Sequence, residues 1–257
     1  GCFPDRKSSG DLARFLRTTL TYYLEEKDAR SAFFELTGSI GSPGDRARVL
    51  MKVLELAPDD DAYSRLIAIA VTIESSGDKT RVLMAGLGVF PENDKVRKLY
   101  FDAVKTIGSS GDRSRLLRAL LSEYEIDAST AGLAFDAAQS ISGSGDKARV
   151  LMAAAANYTG SAEHRALFFK AVATISSSGD HARVLLSLLS EGNPGAETIT
   201  EILRSTQRIS SGGDAARVLI SASEYVDDPQ VEAYLRAARQ VSSAGDRSRV
   251  LKALMDQ

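Results

Sequence analysis

The chain has 257 residues, 44% of them apolar and 26% charged, with a formal net charge of −2. Those proportions exclude a disordered chain, and the lack of a Lys/Arg excess argues against a nucleic-acid-binding face, which needs cations to neutralise phosphates. No run of about 18 apolar residues occurs, so no segment reads as a membrane span. The start lacks the cationic and apolar regions of a signal peptide. Cys2 is the only cysteine, which rules out an intrachain disulfide. Gly1-Cys2 fits the start of a lipidated chain, but a truncation point or a cloning remnant fits it better.

From Gly10 onward the chain repeats itself. The string Gly-Asp-x-(Ala/Ser/Thr)-Arg-(Val/Leu/Phe)-Leu begins at Gly10, Gly44, Gly77, Gly111, Gly145, Gly179, Gly213 and Gly245, in steps of 34, 33, 34, 34, 34, 34 and 32 residues. A fixed period in this range marks a solenoid, in which each repeat packs on its neighbours. Residues 1–257 therefore read as a single array. The first repeat has only Gly1–Ser9 before its turn and so lacks a first helix.

The repeat around Gly77 shows the internal logic. Leu66, Ile67, Ile69, Ala70 and Ile73 recur at helical spacing and predict helix A over Asp61–Ser75. Gly77 then fits a left-handed C′ residue and Asp78 an N-cap. Helix B follows over Lys79–Val89, with Val82, Leu83, Gly86 and Leu87 inward. Later repeats keep the pattern. An apolar residue precedes the glycine by four positions (Ile40, Ile73, Ile107, Ile141, Ile175, Ile209, Val241), and a leucine follows the aspartate by five (Leu16, Leu50, Leu83, Leu117, Leu151, Leu185, Leu219, Leu251). Small residues at Ala13, Ala47, Thr80, Ser114, Ala148, Ala182, Ala216 and Ser248 predict close approach of the adjacent turn. Phe33, Tyr100, Phe168 and Tyr234 are core residues of helix A. Eight B helices and seven A helices make fifteen.

Each repeat also pairs an aspartate with an arginine three residues on: Asp11/Arg14, Asp45/Arg48, Asp78/Arg81, Asp112/Arg115, Asp146/Arg149, Asp180/Arg183, Asp214/Arg217 and Asp246/Arg249. Copies at one register do not form a single catalytic constellation. They predict a structural ladder of caps and ion pairs; a row of anion sites at the helix starts is the weaker reading. Basic residues follow the aspartate (Arg46, Lys79, Arg113, Lys147, Arg247, with His181), while the opposite loops carry Glu25, Glu26, Asp28, Asp59–Asp61, Glu92, Asp94, Glu123, Glu125, Asp127, Asp227 and Asp228. The expectation is one basic-leaning edge and one acidic edge. Asp59–Asp61 lacks the spacing of an EF-hand loop.

Helix B carries Met51, Met84, Met152, Leu186 and Ile220 six residues after the aspartate, where other repeats have Arg17, Arg118 and Lys252. This off-centre apolar row either packs on the preceding repeat or lines a concave face able to receive a partner's helix or extended segment. The two histidines, His164 and His181, belong to no metal or nucleophile motif, and Ser142–Gly145 is a variant of the recurring turn, not a phosphate loop. No catalytic, cofactor-binding or metal residues are expected. At the far end Val250, Leu251, Leu254 and Met255 keep the internal pattern. This predicts a piece of a longer protein, or end faces that self-associate end to end.

Paired helices with a repeated Asp and Arg resemble the HEAT-like α-solenoids, for which 34 residues is short; the tetratricopeptide and ankyrin patterns are absent. Ile175–Leu185, reading Ile-Ser-Ser-Ser-Gly-Asp-His-Ala-Arg-Val-Leu, is similar to a bacterial repeat of roughly the form Ile-x-Ser-Asp-Ser-Asp-Lys-x-x-Val-Leu. That repeat occurs in arrays appended to membrane metallopeptidase-like sensor proteins. All eight repeats share the likeness but depart from it at the motif's first Asp, and no His-Glu-x-x-His is present. The resemblance implies a right-handed superhelix and favours a bacterial extracytoplasmic location over a cytoplasmic one. The expectation is thus an all-α solenoid acting as a non-enzymatic scaffold for a protein or peptide partner. The alternatives are a ligand-sensing module of a larger bacterial envelope protein and an enzyme with a site between repeats.

Overall fold

The computed structural model describes residues 8–257 except 125, 157, 159, 192 and 193, and only the backbone at 24, 25 and 27. Cys2 and Glu125, and the side chain of Glu25, lie outside the described residues. Among the described residues sixteen α-helices follow in order: α1 (Ser9–Thr18), α2 (Leu20–Glu25), α3 (Lys27–Ser39), α4 (Pro43–Leu54), α5 (Asp60–Val71), α6 (Ser76–Gly86), α7 (Asp94–Lys105), α8 (Ser110–Glu123), α9 (Ala128–Gln139), α10 (Ser144–Ala155), α11 (Ala162–Val172), α12 (Ser178–Ser190), α13 (Ala196–Thr206), α14 (Gly212–Ser223), α15 (Asp228–Arg239) and α16 (Ala244–Met255). Each Gly-Asp segment opens a B helix: α1, α4, α6, α8, α10, α12, α14 and α16. The A helices are α3, α5, α7, α9, α11, α13 and α15. The helix beyond the expected fifteen is α2, which resumes after Thr19 leaves helical geometry at φ −105°, ψ 4°.

The chain divides into two blocks, Gly1–Leu116 and Leu117–Gln257. In the first, α1 packs on α4 and α4 on α6, while α3 packs on α5 and α5 on α7. In the second, α10, α12, α14 and α16 pack in succession, and so do α9, α11, α13 and α15. B helices thus stack on B and A on A, joined within each hairpin. The fold is an all-α solenoid of helical hairpins, with no strand among the described residues.

The repeated apolar positions form its seam. Leu16, Leu50, Leu83, Leu117, Leu151, Leu185 and Leu219 are fully buried, whereas Leu251 in α16 is 36% exposed. Ile40, Ile73, Ile107, Ile141, Ile175, Ile209 and Val241 are buried as well. The small positions from Ala13 to Ala216 are buried, and Ser248 is exposed. Phe33, Tyr100, Phe168 and Tyr234 are inaccessible to solvent. Buried tyrosine hydroxyls need acceptors, and B-helix carbonyls supply them: Tyr100 Oη donates to Leu83 O (2.9 Å), Tyr234 Oη to Val250 O (2.9 Å) and Tyr63 Oη to Gly86 O (3.2 Å). A Cβ at Gly86 would lie 2.8 Å from that Tyr63 oxygen, so the close approach requires glycine there.

The recurring turn differs from its sequence reading. Helix A stops earlier than expected: α5 ends at Val71, Thr72 is its C-cap, and Ile73 drops into the core. Ser75, not Asp78, is the N-cap of α6, and its Oγ accepts from the Asp78 N–H (3.2 Å). Ser8, Ser42, Ser177, Ser211 and Ser243 cap their helices in the same way, and Ser109 Oγ accepts from the Asp112 N–H. Gly143 is the departure, with no side chain to cap α10. The repeated glycines therefore lie in the first helical turn. They are not left-handed C′ residues: among the described glycines only Gly160 has a positive φ. Nothing lies within 4 Å of a Cβ built on Gly77, and nothing in the structure explains the glycine at that place.

Candidate interaction surface

Moving the cap to serine changes the job of the aspartate. At the third helical position its carboxylate lies beside the helix start, where negative charge is favoured, and faces the arginine one turn on. Arg48, Arg81, Arg115, Arg149, Arg183, Arg217 and Arg249 each donate to the aspartate three residues before them. The arginine side chains are 54–68% exposed and the aspartates 14–25%. The Arg81 bond is the main cause holding the Asp78 carboxyl below the usual carboxylate range, and the Arg48 cation of the preceding repeat lowers it further. Asp214 and Asp246 are lowered likewise, chiefly by Arg217 and Arg249. In each block the outer layer at the B-helix starts is therefore arginine, with carboxylates behind it.

The residues expected to form a basic edge do not project into solvent. Lys79, Arg113, Lys147 and His181 are buried, and Arg46 and Arg247 half-buried. Lys79 Nζ donates to Thr106 O and Oγ1 of the next repeat (3.2 and 3.0 Å), and Lys147 Nζ to Thr174 O and Oγ1 (3.2 and 2.9 Å). Arg46 bridges Ile40 O and Thr72 Oγ1. Arg113 serves Lys105 O and Ile107 O, and Arg247 serves Val241 O. The physical cause is the end of helix A. Its last carbonyls lack intrahelical donors and carry partial negative charge, and a cation one position after the aspartate reaches them. A placement unfavourable for its own helix start is favourable for the neighbouring helix end. Burial pushes the Lys79 and Lys147 amines below their ordinary value. These cations act as bolts between turns.

One turn beyond the arginines lies the apolar row. Met51, Met84, Met152, Leu186 and Ile220 are all half-buried. In the first block Met51 and Met84 share an open groove of about 620 Å³ with Ser75, Gly77, Asp78, Arg81 and Arg115, drawn from α4, α6 and the start of α8. Met152, Leu186 and Ile220 occupy the same position on α10, α12 and α14, which stack in succession in the second block. The methionines of the groove belong to the expected apolar row, and its rim arginines, Arg81 and Arg115, are those paired with Asp78 and Asp112.

In each block the loops that lead from a B helix to the next A helix are acidic. Glu26, Asp28, Asp59, Asp60, Asp61, Glu92, Asp94, Glu123, Asp127, Asp227 and Asp228 are exposed. Several of them cap A helices: Asp59 Oδ1 accepts from Ala62 N–H (2.9 Å), Asp127 Oδ1 from Thr130 N–H (2.6 Å), and Asp227 forms a capping box with Gln230. The Ala62 bond, then Arg30 beside it, holds the Asp59 carboxyl low. The histidines are buried and apart. His164 stacks on Phe135 with ring centroids 5.3 Å apart, and His181 Nε2 lies 2.8 Å from Ser205 Oγ. Among the described residues no group of three or more His, Cys, Asp or Glu could hold a metal ion, and no helix is long and apolar enough to cross a membrane.

Fold and surface together define the chain as a repeat protein of the α-solenoid class. Compared with protein-family models and with curated proteins, it matches none.

Proposed function

We propose that the chain is a non-enzymatic protein-interaction scaffold that uses the exposed face of its B helices. The observation that carries this reading is the groove of Met51, Met84, Arg81 and Arg115. It combines half-buried, adaptable thioethers with forked cations on rigid helices. Such a mixture of apolar floor and arginine rim is enriched at protein interfaces. The repeated aspartates and the buried lysines beside them are engaged as ion pairs and bolts, which supports a structural use for them.

The reading is tested by capture and direct titration. Proteins retained by the wild-type array are purified and titrated against it and against a variant carrying Met84→Glu, Met152→Glu and Leu186→Glu, with helicity checked by circular dichroism. The expected result is a loss of affinity of about tenfold or more, since a buried unpaired charge at an interface costs several kcal/mol. Equal recovery and equal affinity would remove the B-helix face from consideration.

A further inference from the structure

We propose that the B edge of the first block takes an extended, polyproline-type peptide with an acidic residue at every third position and an apolar residue next to it. This deepens the scaffold reading and rests on it. The occupant follows from geometry and charge. Stacked helices lie about 8–10 Å apart. A polyproline II chain turns once in three residues and rises about 9 Å in doing so, so every third side chain returns to the same face at the spacing of successive helices. A β-strand does not match, because its faces alternate with period two. Laid across α4, α6 and the start of α8, such a peptide presents one carboxylate in turn to Arg48, Arg81 and Arg115. The next residue of each triplet meets the row three positions along the helix, where Met51 and Met84 floor the groove. The third residue faces solvent.

The charges fit an acidic occupant. At the starts of α4, α6 and α8, Lys79 and Arg113 are buried and Arg46 half-buried, so the exposed positive charge is that of Arg48, Arg81 and Arg115, which stand outside the less exposed Asp45, Asp78 and Asp112, and exposed Glu74 adds one further carboxylate. The helix starts add partial positive charge. Arg48 and Arg81 each spend one nitrogen on an aspartate, and more than half of each side chain is exposed, so the planar fork has donors left for a second acceptor. A nucleic acid fits less well. No aromatic residue lines the groove for base stacking.

The test is fluorescence anisotropy with a fluorescein-labelled peptide of repeating Glu-Leu-Pro triplets. A peptide of the same composition with its glutamates clustered at one end and an oligothymidylate serve as comparisons. The triplet peptide is expected to bind at least about tenfold more tightly than either, one well-placed charged hydrogen bond being worth that much. Arg81→Gln together with Arg115→Gln is expected to weaken it by about tenfold or more, and Met84→Ser, which adds no charge, by severalfold. Equal binding of the clustered peptide would reduce the edge to a nonspecific cationic surface, and tighter binding of the oligothymidylate would overturn the assignment to peptide. If the triplet peptide fails while captured proteins still depend on Met84, the peptide proposal falls and the scaffold reading stands. If both fail, both fall.

Discussion

Leu151→Ala is expected to cost about 3 kcal/mol of stability, while Leu251→Ala costs less than about 1 kcal/mol. The two residues hold the same position in their repeats, five after the aspartate. Leu151 is fully buried in α10, which packs on α9, α11 and α12. Truncating it removes apolar contacts and leaves a cavity that close-packed neighbours fill only in part. Leu251, in α16, is 36% exposed, so the same truncation opens little new void. Urea unfolding of the two variants beside the wild type reads the difference directly. Similar losses would mean that stability does not come from burial between successive repeats.

Acid is expected to weaken the fold well before its carboxylates are neutralised. His181 is buried against Ser205, and burial, reinforced by the Arg208 cation, pushes its pKa down to about 4 from 6.5. The folded chain therefore keeps His181 neutral where the unfolded chain already protonates it. The stability tied to the neutral ring is fully present above pH 6.5, falls as pH drops below that value, and levels off below about 4. The loss across the window is ~3 kcal/mol. His164, lowered chiefly by burial, acts in the same direction. Asp78, Asp214 and Asp246 have pKa values below the ordinary 3.8. Their contribution is present above the unfolded value and lost only as pH falls through the folded one, beneath the histidine window. Denaturant unfolding at pH 7 and pH 4 for wild type and His181→Gln separates the effects. Glutamine keeps a polar partner for Ser205 and cannot titrate, so the variant's stability should change less with pH. Identical slopes would exclude His181 as the acid-sensitive group.

How much of this was legible beforehand depended on the range of the interaction. The period, the hairpins, the buried leucines and the small residues beside them are local patterns with one physical meaning, and the structure keeps them. The turn was ambiguous. Ser75-Ser76-Gly77-Asp78 satisfies both a glycine C-terminal stop and a serine N-cap, and what decides between them is where α5 ends. It ends at Val71 because Ile73 is drawn into the core. The fate of Lys79 and Lys147 was not legible at all. A lysine near a helix start reads as a solvated cation until the carbonyl of Thr106 or Thr174, 27 residues away, is placed beside it. The apolar row was visible as off-centre methionines, and its meeting with Arg81 and Arg115 needed the stack. Breaks in the pattern at Thr19 and Gly143 carried no signal of the extra helix or of the missing cap.

The claim on which this description rests is that the lysines following two of the repeated aspartates, Lys79 and Lys147, are withdrawn from solvent to fasten one turn to the next. Amine-reactive labelling of the folded protein, read by peptide mass spectrometry, tests it most directly. Lys170 and Lys252 are exposed and should be modified readily, while Lys79 and Lys147 stay protected until the chain is unfolded. Labelling of Lys79 and Lys147 at the rate of Lys170 and Lys252 would contradict it.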